Sequence, residues 1–118
     1  MSPTALIEEL DSVLPGFADY LRGADSLYAA SHGTFSVHGV FSEFSVYLRD
    51  RYSTLPLHSA RRLGIFLTRC FDDTYGDAVS NAVATCCLEN LAGDTLHAAL
   101  AKNLGDAARR FYNGVVGL

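Results

Sequence analysis

Apolar residues along this chain recur at three- and four-residue intervals, and no stretch alternates apolar with polar positions long enough to read as a strand. Leu6, Ile7, Leu10, Val13 and Leu14 share one helical face, with Pro3 suited to a first helical position and Ser2 to the cap before it. Pro15-Gly16 ends that helix, and a second starts at the proline and turns Phe17, Tyr20 and Leu21 inward. Gly23, Ser31, His32 and Gly33 weaken regular structure, so residues 23–33 are expected to be a partly helical connection. From Thr34 as cap, Val37, Val40, Phe41, Phe44, Tyr47 and Leu48 keep a helical period to about Tyr52.

Pro56 restarts a helix whose inward face is Leu57, Ala60, Leu63, Phe66, Leu67, Cys70 and Phe71, with Arg61, Arg62, Arg69 and Asp72 looking outward. It ends between Asp72 and Gly76. The next stretch is apolar nearly all round: Ala82, Val83, Ala84, Cys86, Cys87, Leu88 and Leu91 lie between Asp77, a candidate cap, and Gly93, a candidate left-handed stop. A helix with so little polar surface belongs in the middle of a bundle. Asp94-Thr95 then opens a short helix through Leu96, Ala99, Leu100 and Leu104, closed by Gly105. Asp106 caps the last, which carries Ala107, Ala108, Phe111 and Tyr112 to Asn113-Gly114. The expected fold is all-α, a compact bundle of six or seven short antiparallel helices with little or no sheet. No internal repeat is visible, which favours a bundle over a solenoid.

The 118 residues are expected to form one domain, 1–118, because single domains commonly run to about 100–150 residues. Polar residues interrupt each apolar run before the roughly 18 to 20 positions a bilayer span needs, and no basic-then-apolar leader opens the chain. The expectation is a cytoplasmic protein without membrane association. The formal charge is −4, from 13 acidic and 9 basic residues, which argues against nucleic-acid binding. Eight of the nine basic residues are arginine. Arg49, Arg51, Arg61 and Arg62 flank the break at Leu55-Pro56, and Arg109-Arg110 form a second pair; they suit solvated helix ends and carboxylate partners better than a phosphate site, and could equally serve a protein interface.

Candidate chemistry is sparse. Cys70, Cys86 and Cys87 read as small buried hydrophobes, since a vicinal disulfide is disfavoured within a helix. His32, His38, His58 and His97 lie far apart, none one turn from another histidine or a cysteine, so no metal site is expected. The scattered glycines lack the lysine and hydroxyl of a nucleotide loop, and no cofactor is expected. Asp72, Asp73 and Asp77 lack calcium-loop spacing and sit where helix ends need caps. A cysteine–histidine pair is conceivable on paper, but catalytic thiols are partly exposed, and the chain is read as a non-enzyme. Asn81, Thr85, Glu89 and Asn90 interrupt the apolar helix; they either anchor neighbouring helices or line a polar groove. The aromatic set Phe35, Phe41, Phe44, Tyr47 and Tyr52 exceeds what one narrow face hides, which leaves a tyrosine for an interface.

The segment Val40-Phe41-Ser42-Glu43-Phe44-Ser45-Val46-Tyr47-Leu48, the proline-initiated helix after it, and Asn81-Ala82-Val83-Ala84-Thr85-Cys86-Cys87-Leu88-Glu89-Asn90-Leu91 resemble a group of small helical bacterial proteins of unassigned function. That group includes immunity-type partners of polymorphic toxins, and the likeness spans roughly residues 35–112. It implies no catalytic residues. It implies a cytosolic protein that binds and blocks a toxin domain, with which an acidic balance is compatible. The expected partner-binding residues are Glu43, Asp50, Asp72 and Asp73 for steering, with Tyr47 or Tyr52 as the anchor. The alternative is a self-associating helical module, a homodimer with no toxin partner.

Overall fold

The computed structural model describes residues 1–23 and 35–117. Thr34 and nearly all of the expected 23–33 connection lie outside the described residues. Among those described there are seven helices and no strand: α1 (Pro3–Val13), α2 (Phe17–Leu21), α3 (Val37–Arg51), α4 (Leu57–Phe71), α5 (residues 77–91), α6 (His97–Lys102) and α7 (Asp106–Val115). A single turn of 3-10 helix, Tyr52–Thr54, links α3 to the Pro56 restart. No helix is long and apolar enough to cross a membrane, among the described residues.

The caps follow from hydrogen-bond demand at helix starts. Ser2 Oγ accepts from the Ala5 N–H at 3.1 Å, and Ser36 Oγ accepts from the Gly39 N–H at 3.1 Å. Ser36 thus caps α3 in place of the expected Thr34. Asp11 reaches across the Pro15-Gly16 turn, its Oδ1 accepting from the N–H groups of Gly16 at 3.2 Å and Ala18 at 2.9 Å. Asp77 and Asp106, expected as caps, sit one residue later, in the first turns of α5 and α7; glycines 76 and 105 hold the cap positions. There each carboxylate still faces the positive end of the helix dipole.

The core is built around α3 and α5. Val40, Phe41, Phe44 and Leu48 of α3 meet Ala82, Val83, Cys87, Leu88 and Leu91 of α5, and all are 0% exposed. Three contacts give the register: His38 with Asn81, Ser45 with Asn90, and Arg49 with Asp94. Both residue numbers rise together, so α3 and α5 run parallel, as two successive reversals through α4 require. The sequence separation is 43 at His38 and 45 at Ser45 and Arg49. Between them α5 loosens from α-helix to π-helix over Val83–Leu88, whose longer hydrogen-bond span takes up extra residues without moving the helix axis off its groove. The sequence pattern, which expects one regular helix there, does not contain this. Gly93 closes α5 with φ +76, in the left-handed region expected of it.

Inward faces agree with the pattern except at three positions. Leu57 is 63% exposed, because it occupies the first position of α4, beyond the reach of the core. Ala99 is also exposed, since α6 turns only His97, Leu100 and Ala101 inward, with Leu96 and Leu104 buried just beyond its two ends, and Ala107 of α7 is exposed beside the buried Ala108.

Candidate functional site

Glu43 and Tyr47 are one turn apart on α3, and the structure brings them together with Tyr20 of α2 and Arg51. The Tyr47 hydroxyl donates to the Pro15 carbonyl at 3.1 Å, and its ring lies 5.0 Å from that of Tyr20. The Arg51 guanidinium covers the outer side of Tyr47 at 3.7 Å from the ring centre and donates to the Tyr47 carbonyl at 3.1 Å. Burial raises the Tyr20 hydroxyl above its usual range, helped by the carboxylate of Glu43, to which it is hydrogen-bonded. Tyr47 is 5% and Tyr52 8% exposed, and the Tyr52 hydroxyl accepts from Asn103 Nδ2 at 3.2 Å. Neither ring is the exposed anchor that the sequence suggests, because each hydroxyl has an internal partner that draws the ring in. Glu43 is likewise buried. Asp50, Asp72 and Asp73 are exposed, but Asp50 lies at the end of α3 and the other two follow α4, a helix roughly 22 Å long.

The polar residues of α5 close a seam against α3. Asn81 Nδ2 donates to His38 Nε2 at 3.1 Å, and Thr85 Oγ1 donates to the Asn81 carbonyl at 2.9 Å. Asn90 Nδ2 donates to the Cys86 carbonyl at 2.7 Å and reaches Ser45 Oγ at 3.5 Å. Arg49 donates to Asp94 Oδ2 at 2.9 Å and to the Asn90 carbonyl at 2.8 Å. Partial burial opposes the charge of Asp94, but hydrogen bonds from Leu96 N–H, Thr95 and Arg49 outweigh it and hold the carboxyl below its usual range. Asn81 and Asn90 are therefore occupied in joining two helices and Thr85 bonds back within α5, while the carboxylate of Glu89 is exposed and forms no ion pair among the described residues.

A second polar knot, not foreseen from sequence, ties α5, α6 and α7. His97 Nδ1 accepts from the Gly93 N–H at 3.0 Å, which leaves Nε2 to donate to Asn113 Oδ1 at 2.8 Å. The imidazole stacks on Tyr112 at 3.7 Å, and the Tyr112 hydroxyl donates to the Leu91 carbonyl at 2.9 Å. A cavity of about 510 Å³ opens beside it, edged by Lys102 and Arg109. Arg109 is engaged by the Ala101 and Leu104 carbonyls that end α6. Both ring nitrogens of His97 are used internally, so the histidine is a fastener here rather than an available base.

The thiols are equally occupied with packing. Burial pushes Cys70 up to about 12, and burial likewise raises Cys87, with Cys70 nearby as a second cause. Cys86 is half-buried. Among the described residues no group of three metal-ligating side chains is placed to hold an ion.

What remains is the outward face of α4. His58, Arg61, Arg62, Ile65 and Arg69 recur at three- and four-residue steps along one stripe, and all five are exposed. Ile65 sits in the middle of that arc and is 53% exposed. Arg61, Arg62 and Arg69 form no ion pair among the described residues. On the α1 side a notch of about 170 Å³ lies beside Ile65, floored by Val13, Phe66 and Tyr75 and edged by Glu9, Arg62 and Arg69. On the α6 side Leu57 overhangs a second hollow of about 310 Å³ with Leu55, Ala60 and Ala99. The helix is thus a ridge with a depression on either flank. The signal for it was present in the sequence as an isoleucine within an otherwise charged outward arc.

Comparison with known proteins returns no match: no family model, no curated protein and no solved structure matches the chain.

Proposed function

We propose that this chain is a protein-binding protein of the immunity type, a cytosolic inhibitor that neutralises a cognate toxin domain by covering it. The observation that carries the reading is the ridge of α4, where Leu57 is exposed at the start and Ile65 is exposed among Arg61, Arg62 and Arg69, which form no ion pair among the described residues. Interfaces combine an apolar centre with arginine and a polar rim, whereas a merely solvated helix face needs no isoleucine at its centre. Asp72 and Asp73, exposed in the turn that ends α4, add the opposite sign to the rim and fix orientation on a partner. Asp50 contributes to the net charge of −4 that favours approach to a basic toxin. Tyr47, Tyr52 and Glu43 support the scaffold rather than the contact.

The second reading, a homodimeric module, draws on the same Leu57 and Ile65. In a two-fold pair centred on Ile65, Arg61 of one copy faces Arg69 of the other, a like-charge contact that disfavours self-pairing on this face. Co-expression with the product of the adjacent gene tests the proposal. Cells carrying the chain survive a toxic neighbour if it is an immunity protein; no protection, or a harmless neighbour, contradicts it.

A further inference from the structure

We infer that the notch between α1 and α4 receives an acidic, amphipathic segment of the partner protein, one apolar side chain entering beside Ile65 and flanking carboxylates meeting Arg62 and Arg69. This rests on the reading of the chain as a partner-binding protein and names the chemistry of what it binds.

The notch has an apolar floor, Val13, Phe66 and the half-buried ring of Tyr75, and about 170 Å³ of space, several times the roughly 30 Å³ a water takes in the liquid and enough for one large side chain. Its α4 rim is cationic. Arg62 and Arg69 are both exposed, and neither reaches Glu9 on the α1 rim as an ion pair. Arg61 stands one position from Arg62 on the same ridge. A chain with a net charge of −4 that places three arginines, without ion pairs among the described residues, around one exposed isoleucine has a local patch opposite in sign to the rest. Guanidinium groups grip carboxylates in paired hydrogen bonds, and such contacts strengthen where an apolar neighbour excludes water.

The spacing narrows the occupant further. Arg62 and Arg69 are two helical turns apart, about 10 Å along α4, with Ile65 between them. A partner helix carrying a leucine, isoleucine or phenylalanine with an aspartate or glutamate three or four positions on either side matches that layout. Glu9 on the opposite rim repels carboxylates from the α1 edge and so sets the side on which they lie. A phosphate backbone or an anionic membrane would use the arginines but has no side chain for the notch.

The test pans a phage-displayed library of random dodecapeptides on the full chain, then measures the enriched peptides against it by fluorescence anisotropy. The expected enrichment is an apolar residue flanked by Asp or Glu, with binding weakened roughly tenfold or more in R62E/R69E and in the milder R62Q/R69Q, which removes charge without reversing it, but unchanged in R110E, which shifts the net charge by as much as R62Q/R69Q. Amide spectra of the complex should shift at Val13, Ile65 and Tyr75. Enrichment of basic or uncharged peptides, no enrichment, binding indifferent to R62E/R69E, or tighter arginine-dependent binding to duplex DNA or phosphatidylserine vesicles overturns the inference. Protection of cells reads the proposed function separately. A chain that binds acidic peptides here yet protects against nothing keeps this inference and loses that function, and the reverse result moves the contact elsewhere.

Discussion

Gly64 of α4 packs directly on Asn103, so closely that a methyl group at position 64 would fall on the Asn103 carbonyl and lie 2.6 Å from its Cβ. The glycine is what lets α4 lie down on the segment that joins α6 to α7. Alanine is the better helix former by about 1 kcal/mol, yet overpacking against backbone costs about 1–3 kcal/mol and occasionally more. Gly64→Ala should therefore lower stability by up to about 2 kcal/mol. Gly114→Ala, in α7 with open space around the new methyl, should raise it by about 0.5–1 kcal/mol. Urea denaturation of both variants checks the pair, and a stabilised Gly64→Ala would show the contact to be looser than described.

Tyr112 has a buried hydroxyl whose partner, the Leu91 carbonyl, is the last of α5. Tyr112→Phe keeps the stack on His97 and removes that one bond, leaving the Leu91 carbonyl with the Asp94 N–H at 3.2 Å as its remaining donor. The expected loss is about 0.5–1.5 kcal/mol in thermal or chemical unfolding. A neutral result would mean that water reaches the Leu91 carbonyl.

Much of this fold was legible because burial enforces periodicity. Every residue of the face Val37, Val40, Phe41, Phe44, Tyr47 and Leu48 is buried, as its spacing predicts. Leu57 departs from its pattern because position alone, at the mouth of a helix, keeps it from the core. The π-helical turns at Val83–Leu88 have no local signature: they arise where α5 must keep pace with α3 on both sides of Cys87, a tertiary demand. The knot of His97 and Asn113 joins residues 16 apart through a turn, and a single sequence does not say which polar pairs will meet. For the proposed binding face the residues are visible in the sequence and their meaning is not. The spacing of Arg61, Arg62 and Arg69 predicts that they look outward, but only the structure reveals that they form no ion pair among the described residues.

The raised thiols make stability fall at high pH. Cys70 goes from the usual 9.0 to about 12, so the folded chain holds its proton while the unfolded chain releases it. The stability this group carries is fully present below 9.0 and is lost as pH rises towards about 12, with a limiting slope of about 1.4 kcal/mol per pH unit. Comparing wild type with Cys70→Ala between those pH values should show a shallower fall in the variant; equal slopes would mean that the thiol is open to solvent.

Thiol access should follow the same order. In native protein Cys86 labels first with a disulfide reagent, and Cys70 and Cys87 react only once denaturant opens the core. Three equally fast thiols would contradict the burial of α5.

Ile65 offers a separation of folding from function. Because it is 53% exposed, Ile65→Ser should alter stability by no more than about 0.5 kcal/mol, whereas Leu67→Ala, at a position 0% exposed, should cost about 2–5 kcal/mol. Only the first variant can report on binding without disturbing the bundle.

The most direct measurement is a calorimetric titration of the purified chain with the product of the adjacent gene. An equimolar complex is expected, with a dissociation constant of about 10 nM or tighter, weakened at least roughly tenfold by R62E/R69E and unchanged by R110E. No heat of binding, or an affinity indifferent to the arginines beside Ile65, would contradict the assignment of partner recognition to α4.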